Sequence, residues 1–273
     1  MKSLSDASGI SRREALTGLV AGAALAVPST SLLLAQTRVA SISKREKGHV
    51  LAPALKIARE ADAAMNKVDD YTGTFHKNVV VGKKRINQEI AIKVREEPFS
   101  VYLRFINQHN GREVIYIDGK NNGSLLTHGV GLETIVGTLK LDPNGSTAME
   151  ESRYPINMIG MRKMIRKLIS QWEGELVIPD PTVKFYPNAK IGSLECRVVQ
   201  SSHAKKHSKA KFHMTRLYVA KKSGLPVRVE QFAYPTKTGS KPLMLEQYTY
   251  LGVKTNVGLK AIDFDTRNPK YDY

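Results

Sequence analysis

The chain contains a single cysteine, Cys196, and comparatively few acidic residues. No disulfide can therefore form within the chain, and packing alone must stabilise the fold. Cys196 lies in an apolar stretch with strand character, where a small buried thiol is expected. Against 25 Asp and Glu stand 42 Lys and Arg, so the formal net charge is +17. Such a charge indicates either an anionic partner or a generally solvated basic surface.

Common catalytic motifs do not occur: the sequence has no G-x-S-x-G, H-E-x-x-H, P-loop or C-x-x-C. His203 and His207 are four residues apart, but they lie in a lysine-rich polar loop that would repel a metal cation. Glu96 and Glu97 are adjacent, and adjacent strand residues point to opposite faces. The sequence therefore predicts no enzyme, no cofactor and no metal site.

One long apolar stretch occurs, near the N-terminus, over residues 16–35. It follows Arg12 and Arg13, and this order is typical of a twin-arginine export signal, although Ala15 stands where the consensus favours Phe. We therefore expect residues 1–40 to be a leader with a short linker and residues 41–273 to form one β-rich domain. The alternative is an uncleaved membrane anchor, since the stretch has roughly the length that spans a bilayer.

Export changes the interpretation of the positive charge. For a cytoplasmic protein, such a charge would suggest nucleic acid as the binding partner. An exported protein does not encounter nucleic acid, so we do not expect that partner here. The partners that remain are anionic phospholipid headgroups, acidic envelope polymers and acidic proteins. We therefore expect a protein of the periplasm or cell envelope, tethered to the membrane if the leader is not cleaved.

Two periodicities divide the rest of the chain. A helix is predicted from Pro53 to Val68, and strands of period two follow from Tyr71, as in residues 90–94. A second helix is predicted over 157–173, with Asn157 as its N-cap. Further strands are predicted over 183–186, 194–201, 211–221, 226–232 and 243–251. Strands, helix and more strands predict an α+β, mainly β fold, with one antiparallel sheet on which the long amphipathic helix and the N-terminal helix pack.

The 157–173 helix carries apolar residues on one face and cations on the other, which suits either a sheet cover or a lid over a cavity. The candidate lining of an apolar cavity is Val101, Leu103, Phe105, Ile115, Ile117, Met161 and Trp172. The candidate contacts for an anionic surface are Arg162, Lys163, Arg166, Lys167, Lys205, Lys206, Lys209 and Lys211. Near the C-terminus, Asp263, Asp265 and Asn268 are expected to shape a turn that docks the chain end.

Several blocks, taken in order, resemble the bacterial family of domain of unknown function 1571. They are DYTGTF at 70–75, VREEPFSVY at 94–102, GREVIY at 111–116, LDPNG at 141–145, LPVR at 225–228, EQYTY at 246–250 and DFD at 263–265. The resemblance covers nearly the whole chain after the leader. The family pattern tends to have an acid where Ala220 stands and a tryptophan near Tyr234, so the hairpin there departs from it.

That family is similar to the periplasmic lipoprotein carriers of the LolA and LolB type. The resemblance implies a curved sheet, like a half-barrel, around helices, with an apolar cavity for acyl chains. It implies no catalytic residues. The expected function is a non-enzymatic carrier or sensor of lipid or lipoprotein acyl chains. The alternatives are a basic scaffold for anionic envelope polymers or an envelope protein, and a hydrolase whose site assembles only in three dimensions.

Overall fold

The computed structural model of the protein describes residues 41–129, 137–237 and 239–273. The predicted export signal, with Arg12 and Arg13, lies outside these residues. Within them, no helix is long and apolar enough to cross a membrane.

A single curved antiparallel sheet dominates the fold. Its strands are β1 Asp70–Val81, β2 Lys84–Arg95, β3 Ser100–Phe105, β4 Glu113–Ile117, β5 Leu125–His128, β6 Leu139–Leu141, β7 Thr182–Ile191, β8 Leu194–Ser202, β9 Met214–Ala220, β10 Pro226–Phe232 and β11 Met244–Thr255. Their order across the sheet is β6-β5-β4-β3-β2-β1-β11-β10-β9-β8-β7. Each half is a meander of sequential strands, and the halves join where β1 pairs with β11. The predicted α+β, mainly β class and the single curved antiparallel sheet are confirmed.

Glycine sets the tightest hairpins. Two-residue turns join β1 to β2 and β7 to β8, and each begins with a glycine at positive φ, +58° at Gly82 and +57° at Gly192. A positive φ at the first turn position gives the turn a twist that matches the strands it joins. These turns hold neighbouring strands in register from one end.

Two long helices cover part of one sheet face: α1, Ala52–Met65, and α3, Met161–Glu175. A short helix, α2, spans Ser146–Met149, and 3-10 turns span Asn121–Gly123, Ile156–Met158 and Ala261–Phe264. Helices α1 and α3 pack against each other, α1 against β8 and β10, and α3 against β10. The predicted N-terminal and amphipathic helices are therefore present, and both lie on the sheet.

The start of α3 differs from the sequence prediction. Asn157 lies in a separate 3-10 turn, and the residue that caps α3 is Gly160 at φ +105°. The hydroxyl of Tyr250 accepts a hydrogen bond from the Gly160 N–H at 3.0 Å, and that of Tyr71 accepts one from the Met161 N–H at 2.9 Å. These tyrosines on β11 and β1 satisfy amides that a helix start leaves unpaired. Tertiary contacts thus decide where this helix begins.

A dense core lies between the two helices and strands β8–β10. It is built from apolar side chains that include Leu55 and Ala58 of α1, Ile165 and Trp172 of α3, and Leu217 of β9. Trp172 is fully buried, and its Nε1 donates to the Ser201 Oγ at 2.9 Å. We call this part of the molecule the filled half.

The C-terminal segment covers the opposite face of the sheet near β3 and β4. Phe264 is buried there, and the ring of Tyr271 stacks on that of Tyr102 with centroids 4.1 Å apart. Lys93 donates to the Asp263 Oδ1 at 2.8 Å and to the Tyr271 hydroxyl at 2.9 Å. The Asn268 side chain donates to the Ile262 carbonyl oxygen at 2.9 Å, so the predicted docking turn is present.

Candidate functional site

A cavity of about 640 Å³ lies between the sheet and the chain segment that precedes α3. We call residues 143–159 the strap. The sheet wall consists of Phe75, Lys77, Gln88, Ile90, Leu103, Phe105, Val114, Leu125, Thr127, Leu139, Leu141, Val229, Gln231, Tyr248 and Tyr250, and His109 and Arg112 between β3 and β4 lie beside it. The facing wall includes Pro143, Thr147, Ala148, residues 150–156, Met158, Ile159, Met164, Lys167 and Leu168. We call the part of the sheet under the strap, mainly β1–β5, the open half.

The candidate cavity residues fall into two groups. Leu103 and Phe105 lie in the wall of the cavity. Val101 and Met161 are fully buried in a packed cluster beside it, and Trp172 lies in the filled half. Ile115 and Ile117 pack with Tyr102 and Phe264 on the opposite face of the sheet. The structure thus places five of the seven candidates away from the cavity, which corrects the lining expected for them.

Strand register explains the displacement of Ile115 and Ile117. Leu103 on β3 pairs with Val114 on β4, whereas Tyr102 pairs with Ile115. Directly paired residues share a face of the sheet. Val114 therefore joins Leu103 in the cavity wall, and Ile115 faces the C-terminal segment. Both faces of β4 carry large apolar residues, so alternation along its own sequence could not select between them.

Aromatic residues from β1 and β11 form a part of the wall that sequence reasoning missed. The ring of Phe75 stacks on those of Tyr250 and Tyr248, with centroids 4.8 and 6.1 Å apart. These residues converge because β1 pairs with β11, although residues 82–243 separate the two strands along the chain. The alternation of apolar residues in β11 could be recognised in the sequence. The strand that lies next to β11 in the sheet could not.

The strap is anchored near its middle by a buried carboxylate on β11. Glu246 accepts hydrogen bonds from Arg153 Nε at 2.9 Å, from the Tyr154 hydroxyl at 2.9 Å and from the Tyr248 hydroxyl at 3.1 Å. Arg153 also donates to the carbonyl oxygen of Val80 at 2.8 Å. Burial, together with the Glu246 charge, raises the pKa of Tyr154 and Tyr248 well above the ordinary tyrosine value. Both tyrosines are therefore donors at neutral pH.

A second polar cluster joins the strap to β1 and β2. Glu151 accepts from Gln88 Nε2 at 2.7 Å and lies 2.9 Å from His109 Nε2, and Lys77 Nζ donates to the Ser152 hydroxyl at 3.1 Å. Burial lowers the pKa of Lys77 to about 8, and the nearby charge of Glu151 opposes the shift only in part. Burial opposes ionisation of Glu151, but the hydrogen bonds from His109 and Gln88 prevail and lower its pKa.

The site therefore combines a largely apolar cavity with polar groups on both its sheet wall and its cover. This arrangement can enclose an apolar molecule and orient a polar end. Among the described residues, no group of three or more His, Cys, Asp or Glu side chains could hold a metal ion. His203 is buried and lies 3.0 Å from Glu175 in the filled half, whereas His207 is exposed.

The cationic residues of α3 are largely engaged within the fold. Arg162 forms an ion pair with Glu96 at 3.0 Å, and Arg166 forms one with Asp62 at 3.0 Å. The Lys163 ammonium lies 4.9 Å from the centroid of the Phe99 ring, and that of Lys167 lies 4.3 Å from the centroid of the Tyr154 ring. Their charges remain near the surface, but internal partners hold their positions.

Of the candidate contacts for an anionic surface, the lysines of the basic loop between β8 and β9 are the least engaged by the rest of the fold. Lys205, Lys206, Lys209 and Lys211 are all exposed. Lys211 also lines a shallow groove together with Lys163, Arg166 and Lys167 of α3. The structure thus brings cations from both predicted segments to one side of α3.

Comparison with known proteins places the chain in a family. A family model described as "Protein of unknown function (DUF1571)" matches residues 68–273. The chain belongs to this family, as its sequence blocks predict. Among curated proteins, none matches the chain.

Several solved structures are similar to the chain at low identity. Lipoprotein LppX of Mycobacterium tuberculosis is 13% identical over 78% of this chain and 99% of that chain, with a TM-score of 0.46. The MucA/MucB complex of Pseudomonas aeruginosa is 12% identical over 78% of this chain and 60% of that chain, with a TM-score of 0.44. A putative outer membrane lipoprotein-sorting protein domain from Vibrio parahaemolyticus is 11% identical over 78% and 96%, with a TM-score of 0.37.

Proposed function

We propose that this member of the DUF1571 family is a non-enzymatic protein of the cell envelope that holds the acyl chain of a lipid or lipoprotein between its sheet and its strap. The observation that carries the proposal is the cavity of about 640 Å³. Its volume falls within the range of roughly 300–1,000 Å³ typical of small-molecule sites.

The shape of the apolar wall favours a chain-like ligand. Neighbouring strands β1–β5 each contribute an apolar side chain in turn: Phe75, Ile90, Leu103, Val114 and Leu125. A continuous apolar surface of this kind matches a long hydrocarbon, which gains about 0.8 kcal/mol for each methylene group it buries. A compact polar metabolite would leave most of this surface unused.

The strap offers a route for entry. Hydrogen bonds and ion pairs hold it to the sheet, notably those of Arg153, Tyr154 and Glu151. Water can replace such bonds at a net cost of about 0.5–1.5 kcal/mol each, or more where a charge is involved. Helices α1 and α3 bury large apolar side chains instead, so lifting them would cost far more. We therefore place the opening at the strap.

The basic loop supplies a means of reaching a membrane. Lys205, Lys206 and Lys209 are exposed, and each lysine near an anionic bilayer contributes about 1 kcal/mol of attraction. With the predicted twin-arginine signal in residues 1–40, this charge fits a protein that works in the periplasm and exchanges its ligand at an anionic membrane. If the leader is retained, the domain at 41–273 works as a tethered binder.

Lipid binding is tested by organic extraction of the purified protein and by titration with an environment-sensitive fluorescent fatty acid. Ala148 lies in the cavity wall, so Ala148→Phe should fill the space and weaken uptake at least about tenfold. Ala204 is exposed in the basic loop, so Ala204→Phe makes the same chemical change without touching the cavity. Uptake that is absent in the wild type, or equally reduced in both variants, would overturn the proposal.

A further inference from the structure

Lys77 and Gln88 form a polar pair in the sheet wall of the cavity. They are directly opposite each other on β1 and β2, and both face the cavity. Paired residues on antiparallel strands have Cβ atoms about 4.5–5.5 Å apart. Lys77 is 8% exposed and Gln88 is fully buried. One small ligand group at this position could therefore contact both side chains.

Each member of the pair has unused hydrogen-bonding capacity. The Lys77 ammonium has three N–H donors, and within the described part of the chain its one hydrogen bond goes to the Ser152 hydroxyl. The Gln88 amide N–H₂ donates to the Glu151 carboxylate, which sets the orientation of the amide. Its carbonyl oxygen Oε1 is buried and has no partner among the described residues. A buried acceptor left in this state costs about 1–3 kcal/mol.

Charge around the pair favours a neutral ligand group. Lys77 retains its proton at neutral pH, because its lowered pKa is still about 8. The negative charge that balances it belongs to Glu151, which is bound to the same Gln88 amide. An anionic carboxylate at this position would be attracted by Lys77 but repelled by Glu151, and it offers no donor to the unpartnered Gln88 Oε1. A neutral group would leave the local charge balanced.

We propose that Lys77 and Gln88 form a headgroup subsite for an uncharged acyl head that offers a carbonyl oxygen to the Lys77 ammonium and an O–H or N–H to the Gln88 Oε1. The inference rests on the proposed function, since the acyl chain would lie along the apolar wall. An acylglycerol with a free hydroxyl has this chemistry, and so has the amide of an N-acylated protein terminus. A free fatty acid does not, because its head is ionised at neutral pH.

The test compares ligands of one chain length that differ only in the head. The ligands are a monoacylglycerol, an N-acyl glycine amide, the methyl ester and the free fatty acid, each used to displace a neutral fluorescent lipid probe at neutral pH. The methyl ester retains the carbonyl group but lacks a donor. We expect the monoacylglycerol or the N-acyl amide to bind about 5–10-fold more tightly than the methyl ester, as one satisfied buried hydrogen bond predicts. Which of the two binds more tightly distinguishes a glycerolipid source from an acylated protein.

Two variants assign the preference to the pair. Gln88→Leu should abolish the advantage of the donor-bearing heads and leave methyl ester affinity nearly unchanged. Lys77→Met should weaken every ester and amide ligand by a similar factor. Gln200→Leu is the matched control, because Gln200 is a buried glutamine on β8 outside the cavity. Thermal unfolding of each variant establishes that it folds.

Failure of the subsite is distinguishable from failure of the proposed function. Equal affinity for all four heads, or a preference that survives in Gln88→Leu, would overturn the subsite while chain binding stands. If the fatty acid binds most tightly of the four ligands and loses this advantage in Lys77→Met, the subsite binds an anionic head and the proposal of a neutral head is wrong. If the probe itself does not bind, chain binding fails and the subsite fails with it.

Discussion

The filled half and the open half of the molecule share one sheet but are covered in different ways. Over β8–β10, helices α1 and α3 insert large apolar side chains such as Trp172 and Ile165, and the space is closed. Over β1–β5, the strap contributes small and polar residues such as Ala148 and Ser152 beside a few larger apolar ones such as Ile159, and the cavity of about 640 Å³ remains. The sheet face is apolar in both halves.

This difference shows that the cover, rather than the sheet, decides whether an apolar face becomes core or binding site. A helix buries side chains at every third or fourth position, so it can interdigitate with the sheet beneath it. An irregular segment has no such periodic face. The strap is instead held by hydrogen bonds and ion pairs to Glu246, Gln88 and Val80, which fix its position without filling the space beneath it.

Matched leucine truncations should separate the halves most strongly. Leu217 is fully buried in the filled half, whereas Leu103 lines the cavity. Leu217→Ala would create a new cavity and should reduce the free energy of unfolding by about 4 kcal/mol, while Leu103→Ala should cost only about 2 kcal/mol. Urea unfolding monitored by circular dichroism measures both. Equal losses would show that the open half is packed as tightly as the filled half.

Substitution of Glu246, which anchors the strap, should let the strap open more easily without unfolding the sheet. Glu246→Gln removes the charge that Arg153 and Tyr154 engage, and should lower the free energy of strap opening by about 2–3 kcal/mol. Hydrogen exchange of residues 143–159 measures that opening. The control is Glu230→Gln, since Glu230 is also buried but lies on β10 and pairs with Arg216 and Arg228. Faster exchange of the strap in the control would contradict this assignment.

Lys77 should make stability depend on pH in the alkaline range. Its pKa is about 8 in the folded protein and about 10.4 in an unfolded chain, so the unfolded state binds more protons between these values. The lowered pKa means that stability rises with pH through this window. Between pH 7 and pH 9.5, the free energy of unfolding of the wild type should rise by on the order of 1–2 kcal/mol relative to that of Lys77→Met. A constant difference between the two proteins would show that folding does not lower the pKa of Lys77.

The lysines of the basic loop should contribute to membrane binding but not to the stability of either half of the fold. Replacing Lys205, Lys206 and Lys209 with Ala should leave the free energy of unfolding within about 0.5 kcal/mol. Affinity for anionic vesicles should fall by about 1 kcal/mol per lysine, and salt should weaken the binding of the wild type. The control replaces Lys83, Lys120 and Lys222, which are exposed elsewhere. An equal loss in the control would indicate that only total charge matters.

Local periodicity predicted the elements well but the site poorly. The strand predicted over 226–232 is β10 to the residue, and the two long helices lie within a few residues of their predicted ranges. Of the cavity candidates, Leu103 and Phe105 line the cavity because their strand faces the strap. Trp172 does not, because the apolar face of α3 is shared between the halves and its C-terminal part lies over the filled half.

The alternation of apolar and polar residues along β1 and β2 contains a weak signal for the pair of Lys77 and Gln88. Gln88 lies between Ile86 and Ile90 on the inward face of β2, so it interrupts an apolar face with an amide. Lys77 interrupts the inward face of β1 in the same way, between Phe75 and Val79. A polar residue in step with an apolar face is a reason to look for a buried site. The partner strand and its register are needed to show that the two coincide.

The sequence by itself determined which residues alternate, which helices are amphipathic and that no disulfide supports the fold, because these properties depend on neighbours along the chain. It also predicted the family, because short blocks recur in order. The tertiary structure decided the register of β3 with β4, the pairing of β1 with β11 and the place of the strap. These depend on contacts between residues far apart in the chain, as when Glu246 holds Arg153 at 2.9 Å. The cavity exists only where those long-range contacts leave the sheet covered but unfilled.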